Sequence, residues 1–393
     1  MISSANKKSV LFLHTSGYFS PIPRIRFMAE TLVEDGYEVN VICDDPELPK
    51  NKKINGVIVH NIHITEQNKY RRFFTLLNAI RKKSSAFSPD MLQIFSPLLI
   101  PISILIKMKL RCKLVYDCYE YWIGSGITSE NYHLTLIYAI MHFIGVFFID
   151  GIIFVYENVP TRKFIHFVNT INWFHKIEIM IIYNVPPENI KVIQNNLQFK
   201  RDILKDESCI IIGYLGLIMK YKGYQEAVKM MNFLDFKYRL LLIGDSPDPK
   251  FKDEIKILIK ENNLEERVII TGFLPHETAM DYISNSDIGL ILFEDTFWTK
   301  YSLPNKLFEY LKVGLPIISS DIINMRYFFE KHKCGLLTPN KPKEIANTIL
   351  ELNKKEKLDE LRIHNWRVYE QYYSITKQKQ TYLELFACLK IKY

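Results

Sequence analysis

The stretch from Leu303 to Asp321, LPNKLFEYLKVGLPIISSD, decides how the second half of this chain folds. Its pattern predicts a helix with Pro304 in the first turn, where the missing N–H of proline costs no hydrogen bond. Gly314 marks the end of that helix, and an apolar strand, Ile317-Ile318, follows Pro316. The stretch therefore predicts a helix that leads into a buried strand.

The start of this predicted helix also combines groups that bind a nucleotide. Its free backbone N–H groups and Lys306 suit a diphosphate. Glu309 lies one turn further on and on the same face, where it can accept hydrogen bonds from ribose hydroxyls. An ordinary capped amphipathic helix explains the same spacing, so the residues alone leave both interpretations open.

The same stretch resembles the donor-binding signature of retaining glycosyltransferases of family 4, in its Pro-Asn-Lys subgroup. Members of that family read Pro-x-Lys, then Glu-Tyr, then Gly-x-Pro and a hydrophobic residue. Further segments resemble other units of the family in the same order along the chain: residues 17–43, 89–122, 181–186 and 211–223. The resemblance implies α/β domains in the GT-B architecture, which has two facing Rossmann-like domains, each a doubly wound parallel sheet.

The alternation of short apolar runs and helical patterns independently predicts two doubly wound parallel sheets. The first domain is expected at 1–193 and the second at 207–369, with residues 194–207 as the polar linker. The tail, 370–393, is expected to form a helix that packs back on the first domain. The predicted strands are Val10–Leu13, Val39–Cys43, Val57–His60, Met91–Phe95, Lys113–Tyr116, Ile152–Val155, Ile179–Tyr183, Ile210–Leu215, Arg239–Ile243, Val268–Thr271, Ile288–Leu292, Ile317–Ser319 and Gly335–Leu337.

Composition restricts the class of protein. The 393 residues, 48% hydrophobic and 24% charged, are typical of globular domains. Six cysteines without a CxxC pair indicate reduced thiols in a cytosolic protein, and neither a disulfide framework nor a zinc site is expected. The chain contains no GxGxxG and no Walker A sequence, which argues against a nicotinamide enzyme and a P-loop NTPase.

Two features bear on membranes. The polar start of the chain lacks a signal-peptide pattern. The apolar segment from Leu134 to Ile149 is short for a membrane span, so we expect a buried helix in this segment, followed by a buried strand. Residues 68–87, NKYRRFFTLLNAIRKKSSAF, combine basic and aromatic side chains, a pattern typical of a helix that lies on an anionic bilayer. A core-packing helix with charged ends explains the same pattern.

The net charge of +8 lies mostly in the N-terminal half. This excess suits an anionic acceptor, an anionic membrane or nucleic acid, and AT-rich coding, which favours lysine, is an alternative explanation. No nucleic-acid-binding motif supports a role with RNA or DNA.

The predicted donor site is built on charge and on the resemblance. Cations aimed at the leaving diphosphate would stabilise its developing charge, and Lys306 and Lys222 are the candidates. Glycine in the loop after the first strand would let the phosphates approach the backbone, and the family places its base near two later strand ends. The complete set is Gly17, Gly216, Lys222, Gly244, Gly272, Phe273, Leu303, Pro304, Asn305, Lys306 and Glu309.

The sequence departs from the family pattern at several positions. Phe95-Ser96 stands where an upstream His-Asp pair is common in this subgroup. Tyr301 stands where many members have a first glutamate, and Leu217 stands where an arginine usually follows the loop glycine, with Lys220 as a substitute cation. Tyr119 replaces the histidine of an Asp-x-His-Glu element. The carboxylates of that element, Asp117 and Glu120, are candidates for orienting the acceptor, or for capping and packing.

Together these patterns predict a retaining, hexosyltransferase-type glycosyltransferase. It would move a sugar from a nucleotide-diphosphate donor to a hydroxyl of a surface glycan or glycolipid, without metal or other cofactor, in the cytoplasm or peripherally on the inner face of the membrane. Retention needs no carboxylate nucleophile, because the leaving phosphate can accept the proton of the acceptor. The alternatives are a degenerate, non-catalytic partner of another transferase, which Tyr119, Leu217 and Tyr301 motivate, and a sugar-nucleotide epimerase.

Overall fold

The computed structural model describes residues 8–15, 23–118, 132–157, 159–171, 176–187, 199, 208–296, 299–353 and 355–390. The chain divides into two compact units. The first consists of Met1–Tyr183 and Gln378–Tyr393, and the second is Asn184–Lys377. Apart from residue 199, the predicted linker lies outside the described residues, so the predicted domain boundaries stay predictions.

The first unit is built on an eight-stranded sheet of order β3-β4-β2-β1-β5-β6-β7-β8. All described strand pairs are parallel except β3 with β4. Its elements are β1 Ser9–Leu13, α1 Pro23–Glu34, β2 Glu38–Cys43, β3 Asn51–Ile54, β4 Val57–Asn61, α2 Lys69–Ser84, β5 Met91–Ile94, α3 Ile100–Leu110, β6 Lys113–Cys118, α4 Tyr132–Val146, β7 Gly151–Phe154, α5 Val159–Ile171 and β8 Glu178–Ile181.

Helices cover both faces of this sheet, because successive side chains of each strand point to opposite sides. Val10 and Phe12 of β1 belong to the core on one face, which α1 closes. Leu11 and Leu13 belong to the core on the other face, which α2, α3, α4 and α5 close. Buried apolar strands with helices on both sides are typical of a parallel α/β sheet.

The second unit is a six-stranded parallel sheet of order β11-β10-β9-β12-β13-β14. Its elements are β9 Ile210–Leu215, α6 Tyr224–Met230, β10 Tyr238–Ile243, α7 Pro249–Glu261, β11 Val268–Ile270, α8 His276–Ser284, β12 Ile288–Ile291, α9 Asn305–Lys312, β13 Ile317–Ser320, α10 Ile323–His332, β14 Gly335–Thr338, α11 Pro342–Leu352 and α12 Lys355–Val368. The prediction of two doubly wound parallel sheets is confirmed.

The last helix, α13 Ile375–Cys388, contributes side chains to the first unit. Tyr382 is fully buried in the core beneath α1, and its hydroxyl donates to Oε1 of Gln93 over 2.6 Å. Oε1 of Gln378 accepts from the backbone N–H of Tyr183 over 2.8 Å. These polar contacts tie α13 to strand β5 and to the segment just after β8.

Every predicted strand is present to within two residues at each end, but one strand was not predicted. Strand β3, with the sequence NKKI, pairs antiparallel with β4 across the turn Asn55-Gly56. Both turn residues have positive φ, 49° and 86°, as the tight turn of a hairpin requires. The Asn-Gly pair was the available signal, and the polar strand around it lacks the apolar alternation that marks the others.

The segment from Leu134 to Ile149 also differs from its prediction. A helix, α4, and a buried strand, β7, are present as expected. The expectation that the helix is buried is wrong for one face, since Leu136, Ile140 and Phe143 are exposed. Among the described residues, no helix is both long and apolar enough to cross a membrane.

Candidate functional site

The predicted donor residues of the second unit lie along one edge of its sheet. Gly216 follows β9, Gly244 follows β10, and Gly272 comes two residues after β11. Helix α9 follows β12, which pairs with β9 on the side opposite β10. Ligands of doubly wound sheets bind beyond the carboxyl ends of the strands where the winding reverses. The space beyond β9 and β12 is that position here.

One of these glycines, Gly244, is required because backbone segments meet there. A Cβ on Gly244 would lie 2.2 Å from the carbonyl oxygen of Gly216, and φ at Gly244 is 145°. That same carbonyl accepts a hydrogen bond of 3.1 Å from the hydroxyl of Tyr224. The loops after β9 and β10 are therefore held against each other, with no side chain between them.

The ammonium of Lys306 lies directly beside this glycine contact. A Cβ on Gly216 would be 3.3 Å from Nζ of Lys306. The same Nζ lies 4.4 Å from the ring centroid of Tyr214, a cation–π contact, and that ring stacks on Tyr224 at 4.2 Å. Burial lowers the pKa of Lys306 well below its ordinary value, neighbouring Lys222 lowers it further, and Glu309 opposes both effects.

Lys222 is the second cation of the site. It is partly buried in the loop before α6, and burial lowers its pKa. Across the described residues, neither Lys222 nor Lys306 forms an ion pair with a carboxylate, although both are partly desolvated. Two such ammonium groups stabilise a bound dianion electrostatically more than exposed lysines would, because less water screens them.

Helix α9 adds backbone donors to the two lysines. The helix begins at Asn305, so Pro304 is its N-cap residue and not part of its first turn as predicted. The first N–H groups of a helix have no intrahelical acceptor, and the dipole favours an anion at this end. Leu307, Phe308 and Leu311 are buried and fix the rotation of the helix about its axis. Gly314, with φ of 66°, follows its end as predicted.

Glu309, the predicted ribose ligand, has a partner that the sequence did not reveal. Its Oε1 lies 2.8 Å from Nε2 of His276, the first residue of α8. The Glu309 side chain is 15% exposed and that of His276 is 47% exposed. The available signal was the position of His276, four residues after Gly272 and thus near the same sheet edge. The contact holds one carboxylate oxygen in place and leaves the other available for a ligand.

This contact predicts a pH dependence. The hydrogen bond and the charge of Glu309 raise the pKa of His276 above its ordinary 6.5. A raised pKa in the folded state means that protonated His276 stabilises the fold below pH 6.5, and that this stabilisation is lost as the pH rises through the raised value. Lys312 opposes the shift and Glu277 supports it.

An NMR titration of the His276 ring is expected to give a pKa above 6.5 in the unmodified protein. The Glu309→Gln variant is expected to return that pKa towards 6.5, because the carboxylate charge is removed. A His276 pKa that does not change on this substitution would show that the contact does not form in solution.

The remaining predicted residues have less definite surroundings. Phe273, beside Gly272, is 80% exposed, which leaves its ring accessible to a base. Leu217 is also exposed. Nζ of Lys220 lies 6.0 Å from the ring centroid of Phe251. The backbone carbonyl of Tyr301 accepts from Nδ2 of Asn324 over 2.7 Å.

A polar cleft of about 440 Å³ was not predicted. Asp321 follows β13 at its carboxyl end and forms a bidentate ion pair of 2.7 and 2.8 Å with Arg326. Its position directly after a strand was the available signal. The cleft is lined by Asp295, Thr296, Lys300, Asp321, Ile322, Ile323 and Arg326.

In the first unit, Asp117 lies at the carboxyl end of β6 and is fully buried. Its two oxygens accept from Nε and Nη2 of Arg24 over 2.7 and 3.1 Å, and Nη1 of Arg24 donates to the carbonyl of Ile182 over 2.7 Å. Burial raises the pKa of Asp117, and the charge and hydrogen bonds of Arg24 oppose that rise. Gly17, Tyr119 and Glu120 lie outside the described residues.

Residues 195–367 match a family model described as "Glycosyl transferases group 1". The amylovoran biosynthesis glycosyltransferase AmsK of Erwinia amylovora is 26% identical over 47% of this chain and 46% of its own length. The uncharacterized glycosyltransferase MJ1607 of Methanocaldococcus jannaschii is 21% identical over 88% of each chain. The chain thus spans about half of the first of these relatives and most of the second.

The structure of Anabaena Alr3699/HepE in complex with UDP and glucose is similar to this fold. The TM-score is 0.70 and the identity 14%, with 97% of this chain and 100% of the other covered. This likeness extends over both units, so the fold class is that of GT-B glycosyltransferases.

Proposed function

With the group 1 glycosyl transferase match of residues 195–367 as the premise, we propose that this chain is a retaining glycosyltransferase with a nucleotide-diphosphate sugar as donor. One observation carries the proposal: two partly buried lysines, Lys306 and Lys222, lie with the N-terminus of α9 at the point where the sheet winding reverses. A diphosphate has the charge and the acceptor oxygens that this arrangement stabilises.

Each part of the donor has a candidate partner. The diphosphate would contact both ammonium groups and the N–H groups at Leu303 and Asn305, close to the backbone of Gly216. Ribose hydroxyls would donate to the oxygen of Glu309 that does not face His276. The base would lie near Gly244 and Gly272, with the exposed ring of Phe273 as a stacking surface. The UDP named with the HepE structure supports this assignment.

The chemistry follows from these contacts. As the bond between the sugar and the diphosphate breaks, negative charge develops on the leaving oxygens, and fixed cations stabilise it most at that stage. On the same face of the sugar, the leaving phosphate would take the proton of the acceptor hydroxyl, which gives retention without a carboxylate nucleophile. A requirement for a metal ion is not part of the proposal, and metal independence stays a prediction.

Fewer observations support the proposal for the acceptor than the proposal for the donor. A surface glycan or glycolipid is proposed because the relative AmsK is named for amylovoran biosynthesis. Asp117 and Glu120 stay predictions as acceptor-orienting groups, and both oxygens of Asp117 already bind Arg24. The peripheral position on the inner face of the membrane, suggested by the basic-aromatic sequence of α2, also stays a prediction.

The alternative is a degenerate partner of another transferase, motivated by Tyr119, Leu217 and Tyr301. It would not need a diphosphate site, whereas Lys306, Lys222 and Glu309 are all present at one edge of the sheet. We therefore favour the enzyme over the non-catalytic partner.

Titration calorimetry with UDP, GDP, CDP, ADP and their common sugar conjugates tests the proposal. We expect one nucleotide to bind and Glu309→Ala to weaken it by about tenfold, the equivalent of one charge-assisted hydrogen bond. Glu226→Ala, in the first turn of α6, is the matched control for loss of a carboxylate in the same unit. Absence of binding by all four nucleotides and their conjugates would contradict the donor site.

A further inference from the structure

The outer surface of α2, α3, α4 and α5 is the feature of the first unit that the proposed donor chemistry does not use. These four helices cover the same face of the eight-stranded sheet, since Leu76, Ile104, Val146 and Val168 all belong to one buried core. Their opposite sides therefore form one outer surface of this unit.

Helix α4 exposes an apolar stripe on this surface. Leu136, Ile140 and Phe143 of α4, and Phe147 directly after its end, recur at helical spacing, and each is between 44% and 60% exposed. On the inward side of the helix, the ring of the buried His142 has a hydrogen-bond partner, because its Nε2 lies 3.1 Å from the hydroxyl of Tyr116. The helix sequence, YHLTLIYAIMHFIGV, contains no Lys, Arg, Asp or Glu. An ordinary surface helix has a polar outer stripe, which α4 lacks.

Helix α3 extends the apolar stripe. Leu105 is 59% exposed and Met108 is 66% exposed. The two helices are held together, since Nζ of Lys107 donates to the carbonyl of Phe148 over 2.5 Å and a Cβ on Gly145 would lie 3.1 Å from Ile100. We refer to Leu105, Met108, Leu136, Ile140, Phe143 and Phe147 as the apolar ridge. Contiguous apolar surface of this kind marks an interaction site.

The charges on the four helices themselves have one sign. None of the four helix sequences contains Asp or Glu, whereas α2 alone contains six Lys and Arg. Arg72, Lys107 and Arg162 pair with carboxylates from flanking segments. The exposed cations include Arg71, Lys82, Lys109 and Lys163. By contrast, α1 on the opposite face of the sheet carries Glu30 and Glu34.

We propose that this surface docks on an anionic lipid bilayer, with the apolar ridge at the boundary between headgroups and acyl chains and the lysines and arginines of α2, α3 and α5 on the headgroups. Apolar burial and attraction to anionic lipid act together in this mode of binding. The element that enters the bilayer is thus the uncharged α4 with α3, and the basic α2 supplies charge beside it.

Charge complementarity decides the occupant. In a symmetric dimer the same patch meets itself, so the cations of α2, α3 and α5 would oppose identical cations. An anionic bilayer offers the opposite sign over the whole surface and accepts the apolar ridge without a shaped pocket. The inference does not depend on the donor site, which lies in the second unit.

Vesicle co-sedimentation of the full chain tests the proposal. We expect the protein to bind vesicles that contain phosphatidylglycerol, to bind pure phosphatidylcholine vesicles more weakly, and to lose affinity as salt increases. Leu136→Gln combined with Ile140→Gln is expected to weaken binding by about tenfold or more, because two apolar groups are removed from the contact. Lys82→Glu combined with Lys109→Glu is expected to remove the preference for anionic vesicles.

The matched control is Ile257→Gln combined with Leu350→Gln, which changes two exposed aliphatic side chains on helices of the second unit. It is expected to bind vesicles as the unmodified chain does. Thermal unfolding and nucleotide affinity of each variant separate a folding defect, or a failure of the donor site, from a loss of docking. Equal vesicle binding by the α4 variant would overturn the proposal. A dimer that the α4 variant dissociates, in a chain that binds no vesicles, would also overturn it.

Discussion

Replacement of Lys306 by methionine is expected to lower kcat/KM for the sugar donor by about 10²–10³-fold, the usual cost of losing one preorganised group that stabilises charge in a transition state. The ammonium lies beside Gly216 and over the ring of Tyr214, at the start of α9 where the diphosphate is proposed to bind. Methionine keeps most of the apolar stem on the Tyr214 ring. Initial rates, or nucleotide affinity before the acceptor is identified, measure the effect.

The same substitution is expected to raise the stability of the ligand-free protein. Burial lowers the pKa of Lys306, which means that the fold disfavours the charged ammonium when no anion is bound. Methionine carries no charge, so the midpoint of thermal unfolding should increase while activity falls. Lys229→Met, at an exposed position of α6, is the control and should change neither property. A variant that loses both activity and stability would show that Lys306 has a structural role instead.

Asp117→Ala is expected to reduce the free energy of unfolding of the first unit by about 3–5 kcal/mol, the range for breaking a buried ion pair from one side. The substitution leaves the buried guanidinium of Arg24 with its bond to the carbonyl of Ile182 but without a countercharge. Urea denaturation, followed through the transition of the first unit, measures the loss.

Two further variants make this prediction decisive. Arg26→Ala breaks a partly exposed i,i+4 pair of 3.3 Å with Glu30 in the same helix, and should cost less than about 1 kcal/mol. Arg24→Met combined with Asp117→Leu removes both charges and should recover most of the stability. If activity also returns in that double variant, Asp117 acts through the fold. If activity stays lost, Asp117 acts on the acceptor as the sequence suggested. A loss below 1 kcal/mol for Asp117→Ala would contradict the buried pair.

Much of the fold could be predicted because its signals are local. Apolar runs marked the buried strands, since a parallel sheet covered on both faces needs continuous apolar sequence. Gly314 ended α9 because the backbone there has positive φ, which glycine adopts without strain. Strand β3 was missed because an edge hairpin of polar residues has no core-facing pattern. The start of α9 was misplaced by one residue, an ordinary error at a helix terminus.

Exposure was harder to predict than secondary structure. The apolar sequence of α4 predicted burial on all sides, because a helix without polar residues is usually covered. Whether a helix is covered depends on the elements that pack over it, and these are not encoded in the helix itself. The apolar stripe on Leu136, Ile140 and Phe143 therefore became visible only with the neighbouring α3 and α5 in place.

In the candidate site, too, local sequence predicted some features and only the tertiary structure decided others. Strand ends and glycines, together with the resemblance of the Pro-Asn-Lys stretch to a known signature, predicted which loops carry the candidate site. The side-chain pairs within it join distant parts of the chain: His276 with Glu309, 33 residues apart, and Arg24 with Asp117, 93 residues apart. Such pairs depend on the order of strands in each sheet and on the rotation of each helix against its core. Local sequence carries the periodicity of the elements, and their assembly brings the charges into contact.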